Sequence, residues 1–303
     1  MPQLRQAMNS FGDRLVEAVR TKGNPCVVGL DPRTGMMPEC VKSGSVVDTI
    51  TRFHELVLDA VAPLVPAVKP QLAFFEQYGL AGMQAFEKTV QMARQRGLVV
   101  IADGKRNDIA STAEAYAEAF LGADAFDADA LTVSPYLGRD SLLPFVNACK
   151  QHGKGLFVLV KTSNPGSKDF QDQVLQSTGR PLHESIAAAV DELGKDLAGA
   201  SGYSSIGAVV GATFPEEGRR LRALMPGAFI LVPGYGAQGG SAQDAAVCFN
   251  EEGLGALVSS SRGITYAFGE PDISREAFAR SVRDNTLRMI EEINAAVKSG
   301  VAT

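Results

Sequence analysis

The segment "VVIADGKRND", residues 99–108, passes from an apolar run into four charged side chains, Asp103, Lys105, Arg106 and Asp108. Asp103 and Lys105 are two residues apart, so on an extended strand they project from the same side. A lysine held beside carboxylates keeps its proton, because opposite charge nearby favours the charged form. An ammonium fixed next to a reacting atom can stabilise a developing carbanion and then protonate it. A second lysine, Lys69, ends an earlier apolar run in "VKPQ" and can alternate with the acids. Taken alone, the D-x-K-x-x-D string is equally compatible with a solvated loop carrying incidental ion pairs. Its place at a strand end, with Lys69 and Asp31 closing other apolar runs, favours chemistry.

Two later segments suit an anion. "VPGYGAQGG" at 232–240 contains G-x-G-x-x-G from Gly234, the dinucleotide fingerprint. Here it follows a late apolar run, and "LVSSSRG" about twenty residues on offers no acid for a ribose. A barrel phosphate site is the better reading: glycine-exposed backbone N–H groups, a helix N-terminus and the guanidinium of Arg262. A surface arginine is the plain alternative for Arg262. Elsewhere the signals are weaker. His54 in "TRFHELVLDAV" reads as a helix-surface or packing residue, and Phe74 and Phe75 read as core. No Ser–His–Asp arrangement is visible. The three histidines and four cysteines are scattered without metal-ligand spacing, so no metal site is expected and the thiols read as reduced.

These groups need elements to hold them. Eight short apolar runs occur at 26–30, 66–70, 98–102, 130–134, 156–160, 206–211, 229–232 and 255–260. Each precedes a helical pattern, such as 111–122, 181–197 and a last helix at about 273–298. Runs this apolar suit strands of a parallel sheet covered on both faces. A doubly wound open sheet would use the same alternation; the count of eight favours a (β/α)8 TIM barrel, one domain over 1–303. In a barrel the site lies at the carboxyl ends of the strands. That is where Asp31, Lys69, Asp103, Lys105, Lys161, Ser163 and Arg262 fall. Leu4, Met8, Phe11, Leu15 and Val19 recur at helical steps and predict an N-terminal amphipathic helix. The longest polar connection, 162–180, is long enough to expect a function.

Bulk properties exclude other classes. Net charge is −5, from 29 basic and 34 acidic residues, which argues against nucleic acid or an anionic membrane as partner. The N-terminus is interrupted by charge, unlike a signal peptide, and no apolar run spans a bilayer. A cytoplasmic protein is expected.

The motifs "VGLDPR", "VKPQLAFFEQYG", "IADGKRNDIASTAEAY", "VKTSNPGS", "VPGYGAQGG" and "SSSRGI" together resemble the orotidine 5′-monophosphate decarboxylase family, in its longer bacterial subgroup, type 2. The resemblance covers most of the chain. It implies a lyase of UMP biosynthesis that takes orotidine 5′-monophosphate to UMP and CO2 with no cofactor and no metal. It implies Lys105 as proton donor to C6, within a charged array of Lys69, Asp103, Lys105 and Asp108. By the same resemblance Asp31 and Lys69 bind ribose hydroxyls, Ser163 faces the pyrimidine, and Gln238 and Arg262 grip the phosphate, with Pro233 opening that loop. Asp108, Ile109 and Thr112 are implied to reach into the partner's site of a homodimer. The segment 164–180 departs from the family pattern, and no role carries over within it. Sugar-phosphate decarboxylases or aldolases of the same superfamily share the strand-three pattern; they typically use magnesium and carry a glutamate where this chain has Lys69. A non-catalytic nucleotide-binding barrel is a further alternative, which the intact charged positions oppose.

Overall fold

The structure, a computed structural model, describes residues 10–236 and 239–301. Eight parallel strands close into a barrel in sequence order: β1 Cys26–Leu30, β2 Ala67–Pro70, β3 Val99–Arg106, β4 Ala130–Val133, β5 Gly155–Lys161, β6 Ile206–Val210, β7 Ile230–Val232 and β8 Ala256–Ser260. The closing pair is β1 with β8, Val27 opposite Ser259. All eight apolar runs are therefore strands, and the open-sheet alternative falls away.

Strand parity divides the core in two. Val28, Leu30, Val100, Ala102, Val158 and Val160 belong to the cluster packed under the outer helices. Val27, Val99, Ile101 and Phe157 belong to a second cluster inside the barrel. The helix Phe11–Lys22 (α1) joins that inner cluster through Phe11, Leu15, Val16 and Val19. Ser10 caps its start by accepting the Asp13 N–H, and Gly23 ends it in the left-handed conformation, φ 66°. Phe11 meets Phe157 edge-on at 6.1 Å between ring centroids, so α1 packs on the inner core from the amino-terminal end of the strands. Of the residues expected in this helix, Leu4 and Met8 lie outside the described residues.

The other helices follow their strands, from Val46–Val61 (α2) after β1 to the closing helix Arg275–Val301. His54, on α2, is a packing residue: its side chain is buried and its Nδ1 lies 2.9 Å from Thr89 Oγ1. The Thr89 hydroxyl donates to the Ala85 carbonyl, so it accepts from His54 and fixes the ring proton on Nδ1. Burial pushes this imidazole down to about 3. Phe75 is core as expected, but Phe74 is not. It is half-buried, lines the cavity described below, and lies 4.7 Å under the Arg33 guanidinium. Consecutive residues at the start of a short helix point different ways, so one ring packs inward and the other faces the strand ends. No helix among the described residues is long and apolar enough to cross a membrane.

Candidate active site

A cavity of about 490 Å³ opens at the carboxyl ends of the strands. Asp31, Lys69, Asp103, Lys105, Ser163, Pro233 and Arg262 all line it. Strand β3 runs past the apolar run to Arg106, so the acid and the lysine sit on the strand itself. The pairing of β3 with β4 shifts register between Ala102 and Arg106. Within that shift Lys105 takes a left-handed conformation, φ 46°, which is uncommon for a residue with a side chain. Arg106, the fourth charge of the string, turns away to Glu76 and packs over Phe120 at 5.1 Å.

Asp103 is the centre of the cluster. Its carboxylate is buried and accepts four hydrogen bonds: Oδ1 from Lys105 Nζ at 2.6 Å and Thr132 Oγ1 at 2.9 Å, Oδ2 from Lys69 Nζ and Gln71 Nε2, each at 2.8 Å. Burial raises its pKa, but the two ammonium groups and their hydrogen bonds outweigh burial and hold the carboxyl far below the usual range. Lys69 is also buried, which works against its charge. Asp103 and Asp31 outweigh that penalty, and its pKa is raised. Both groups thus remain charged in the folded state. The Asp103 contribution to stability is present above the unfolded carboxyl value, about 3.9, and disappears as pH falls through the lower folded value. The Lys69 contribution is present below its unfolded value, about 10.4, and disappears as pH rises through the higher folded one.

Asp31 Oδ1 is buried without a hydrogen-bond partner among the described residues, and it faces the same cavity. An unfilled acceptor of this kind fits a hydroxyl donor of a ligand. The backbone around it is fixed, since Tyr266 donates its hydroxyl to the Asp31 carbonyl at 2.7 Å and accepts the Arg33 N–H at 2.8 Å.

Arg262 begins the short helix after β8, and no carboxylate among the described residues pairs with it. The preceding loop turns at Gly234, φ 97°, a conformation that disfavours side chains. Pro233 lines the cavity at the base of that loop; Gln238 lies outside the described residues.

Ser163 is set by close packing. A Cβ at Gly211 would lie 2.7 Å from Ser163 Cα and Cβ, so glycine there lets the two strand ends approach. Thr213 Oγ1 donates to the Ser163 carbonyl at 3.0 Å. The long connection 162–180 folds back as a brace. Gln171 accepts the Thr162 N–H at 2.9 Å and donates to its hydroxyl at 2.8 Å. Lys161 does not join the cavity. The β5–β6 pairing shifts between Leu159 and Lys161, and the buried ammonium meets Asp172 at 2.5 Å and the Phe214 ring at 4.4 Å.

Asp108, Ile109 and Thr112 do not line this cavity. Asp108 Oδ1 accepts the Ile109 N–H, while Ile109 and Thr112 are exposed at the start of the helix Ala110–Leu121. Sequence reasoning passed over Arg33, Gln71 and Thr132. Arg33 and Gln71 stand two residues beyond Asp31 and Lys69, the same spacing that paired Asp103 with Lys105. Thr132 is a hydroxyl inside a buried strand, which always needs a partner. Among the described residues no group of three or more His, Cys, Asp or Glu side chains is placed to hold a metal ion.

A closed (β/α)8 barrel with an acid held between two lysines, and an arginine free to take a ligand's charge, defines a barrel enzyme for a small anionic substrate. The model described as "Orotidine 5'-phosphate decarboxylase / HUMPS family" matches residues 25–273, and the chain belongs to that family. Orotidine 5′-phosphate decarboxylase of Rhodopirellula baltica is 47% identical over 302 residues, covering 94% of this chain and 99% of the relative. That of Caldicellulosiruptor saccharolyticus is 40% identical over 308 residues, covering 96% and 100%. Among solved structures, the putative decarboxylase of Streptomyces avermitilis is 38% identical with a TM-score of 0.81, covering 95% of this chain and 96% of that one. The putative enzyme of Toxoplasma gondii is 31% identical with a TM-score of 0.83, covering 97% and 99%.

Proposed function

We propose that this chain decarboxylates orotidine 5′-monophosphate to UMP and CO2 in pyrimidine biosynthesis, as a single-domain enzyme using no cofactor. The observation that carries this is the buried Asp103 carboxylate held between Lys69 and Lys105 at the barrel mouth. Arg262 takes the phosphate and Asp31 with Lys69 takes the ribose, which leaves the substrate carboxylate near Asp103 and C6 near Lys105. The C6–carboxyl bond breaks, CO2 leaves, and its bonding electron pair stays on C6. The Lys105 ammonium stabilises that pair and then gives it a proton. The Lys105 side chain is 46% exposed, so solvent can reprotonate it. The sugar-phosphate reading is disfavoured by Lys69, a cation where a metal-dependent site needs a ligand.

The test is the loss of orotidine 5′-monophosphate absorbance with UMP and CO2 formed in equal amounts. Activity should be unchanged after exhaustive chelation. Loss in chelator with recovery on adding magnesium would overturn the cofactor-free reading.

The proposal includes a homodimer with shared sites and a cytoplasmic location. Four free cysteines suit a reducing compartment. For the dimer, the support is that Asp108 lies outside its own barrel's cavity, beside the exposed Ile109. Lys105→Ala chains mixed with Asp108→Asn chains should complement. Random exchange makes about half the dimers mixed, each with one intact site, so roughly a quarter of wild-type activity should return. Confirmed subunit exchange with no recovery would place Asp108 in its own chain's site.

A further inference from the structure

We propose that Thr132 is the residue that positions the Lys105 ammonium. This rests on the decarboxylase reading for its kinetic consequence and on geometry alone for the rest. Lys105 holds a left-handed backbone, φ 46°, inside the register shift between β3 and β4. Its N–H is taken there by a side chain: Thr132 Oγ1, on β4, accepts it at 2.9 Å. The same hydroxyl donates its only proton to Asp103 Oδ1, also at 2.9 Å. That oxygen is the one that accepts from Lys105 Nζ.

Thr132 therefore fixes Lys105 at both ends. It holds the backbone from which the side chain leaves, and it orients the carboxylate oxygen on which the ammonium rests. Each alternative holds only one end. Gln71 and Lys69 bind the other carboxylate oxygen and do not touch the Lys105 backbone. Thr132 is buried and comes from a strand with apolar neighbours, so its hydroxyl has a fixed direction. Without it the Lys105 N–H loses its acceptor and the left-handed turn loses its restraint. The ammonium then samples positions from which proton transfer to carbon is slower. Phosphate and ribose contacts are made by other strands and should persist.

Thr132→Val keeps the shape and the branched Cβ but removes donor and acceptor; Thr132→Ser keeps both. The four readouts are kcat and KM with orotidine 5′-monophosphate, the UMP dissociation constant, and amide exchange at Lys105. In Thr132→Val, kcat should fall about 10- to 100-fold with UMP affinity within about twofold, and the Lys105 amide should exchange at least about tenfold faster. Thr132→Ser should restore both kcat and amide protection. The proposal is overturned if folded Thr132→Val turns over at the wild-type rate, if Thr132→Ser is as slow as Thr132→Val, or if UMP binding falls in step with kcat. Thr132→Ala is the second hydroxyl-free variant. Should neither it nor Thr132→Val fold while Thr132→Ser does, the hydroxyl is a folding determinant and the positioning claim fails. An inactive wild type would sink the decarboxylase reading instead, and the Lys105 exchange rates would still decide the role of Thr132.

Discussion

Lys105→Ala is expected to lower kcat by about 10⁴-fold or more while UMP still binds within about tenfold of wild type. The variant removes both the stabilising charge and the proton donor, and each of these effects alone commonly supplies two or more orders of magnitude. The rest of the cluster should survive. Asp103 keeps Lys69, Gln71 and Thr132 as donors, so its buried carboxylate is not left unpaired. Lys105 is also the more exposed of the two lysines, and its loss opens no cavity in the core. Steady-state kinetics and calorimetric titration with UMP would measure the two effects separately. Turnover near the wild-type rate would mean that another group protonates the carbanion.

Lys69→Ala would be a poorer probe, because it truncates a buried side chain and removes a proposed ribose contact along with a partner of Asp103. Arg262→Ala avoids that difficulty. The guanidinium has no carboxylate partner among the described residues, so its removal breaks no internal ion pair. A charge-assisted, two-pronged contact to phosphate is worth about 1.5–3 kcal/mol or more. We expect kcat/KM for orotidine 5′-monophosphate to fall by about 10²-fold. Binding of the nucleoside that lacks the phosphate should stay within about twofold. Equal losses for nucleotide and nucleoside would move Arg262 away from the phosphate.

The parts of this molecule that follow from local rules were legible in the sequence. Eight apolar runs became eight strands, because strands covered on both faces carry few polar positions to interrupt an apolar run. Asp103 and Lys105 do line one cavity, as their two-residue spacing suggested, although Lys105 reaches it from a left-handed backbone. The same spacing in "DPR" and "KPQ" picks out Arg33 and Gln71, which line the cavity just beyond the ends of β1 and β2. Other features depend on neighbours that no local pattern reveals. The left-handed Lys105 arises from a register shift against β4, and Lys161 leaves the cavity because of another shift against β6. Phe74 and Phe75 look alike in sequence; only the packing of the strand ends decides which ring is core. The connection 162–180 showed its length but not its use. Its use depends on Gln171 and Asp172 meeting Thr162 and Lys161, pairings that closure of the loop creates. The shared-site assignment of Asp108 rests on the family resemblance, because one chain holds only its own half of such a contact.

The most direct measurement is a crystal structure of the protein with UMP bound. The account predicts the phosphate on Arg262, the ribose hydroxyls within hydrogen-bond distance of Asp31 and Lys69, and C6 of the ring facing the Lys105 ammonium. A nucleotide bound with its phosphate away from Arg262, or with C6 turned away from Lys105, would contradict it.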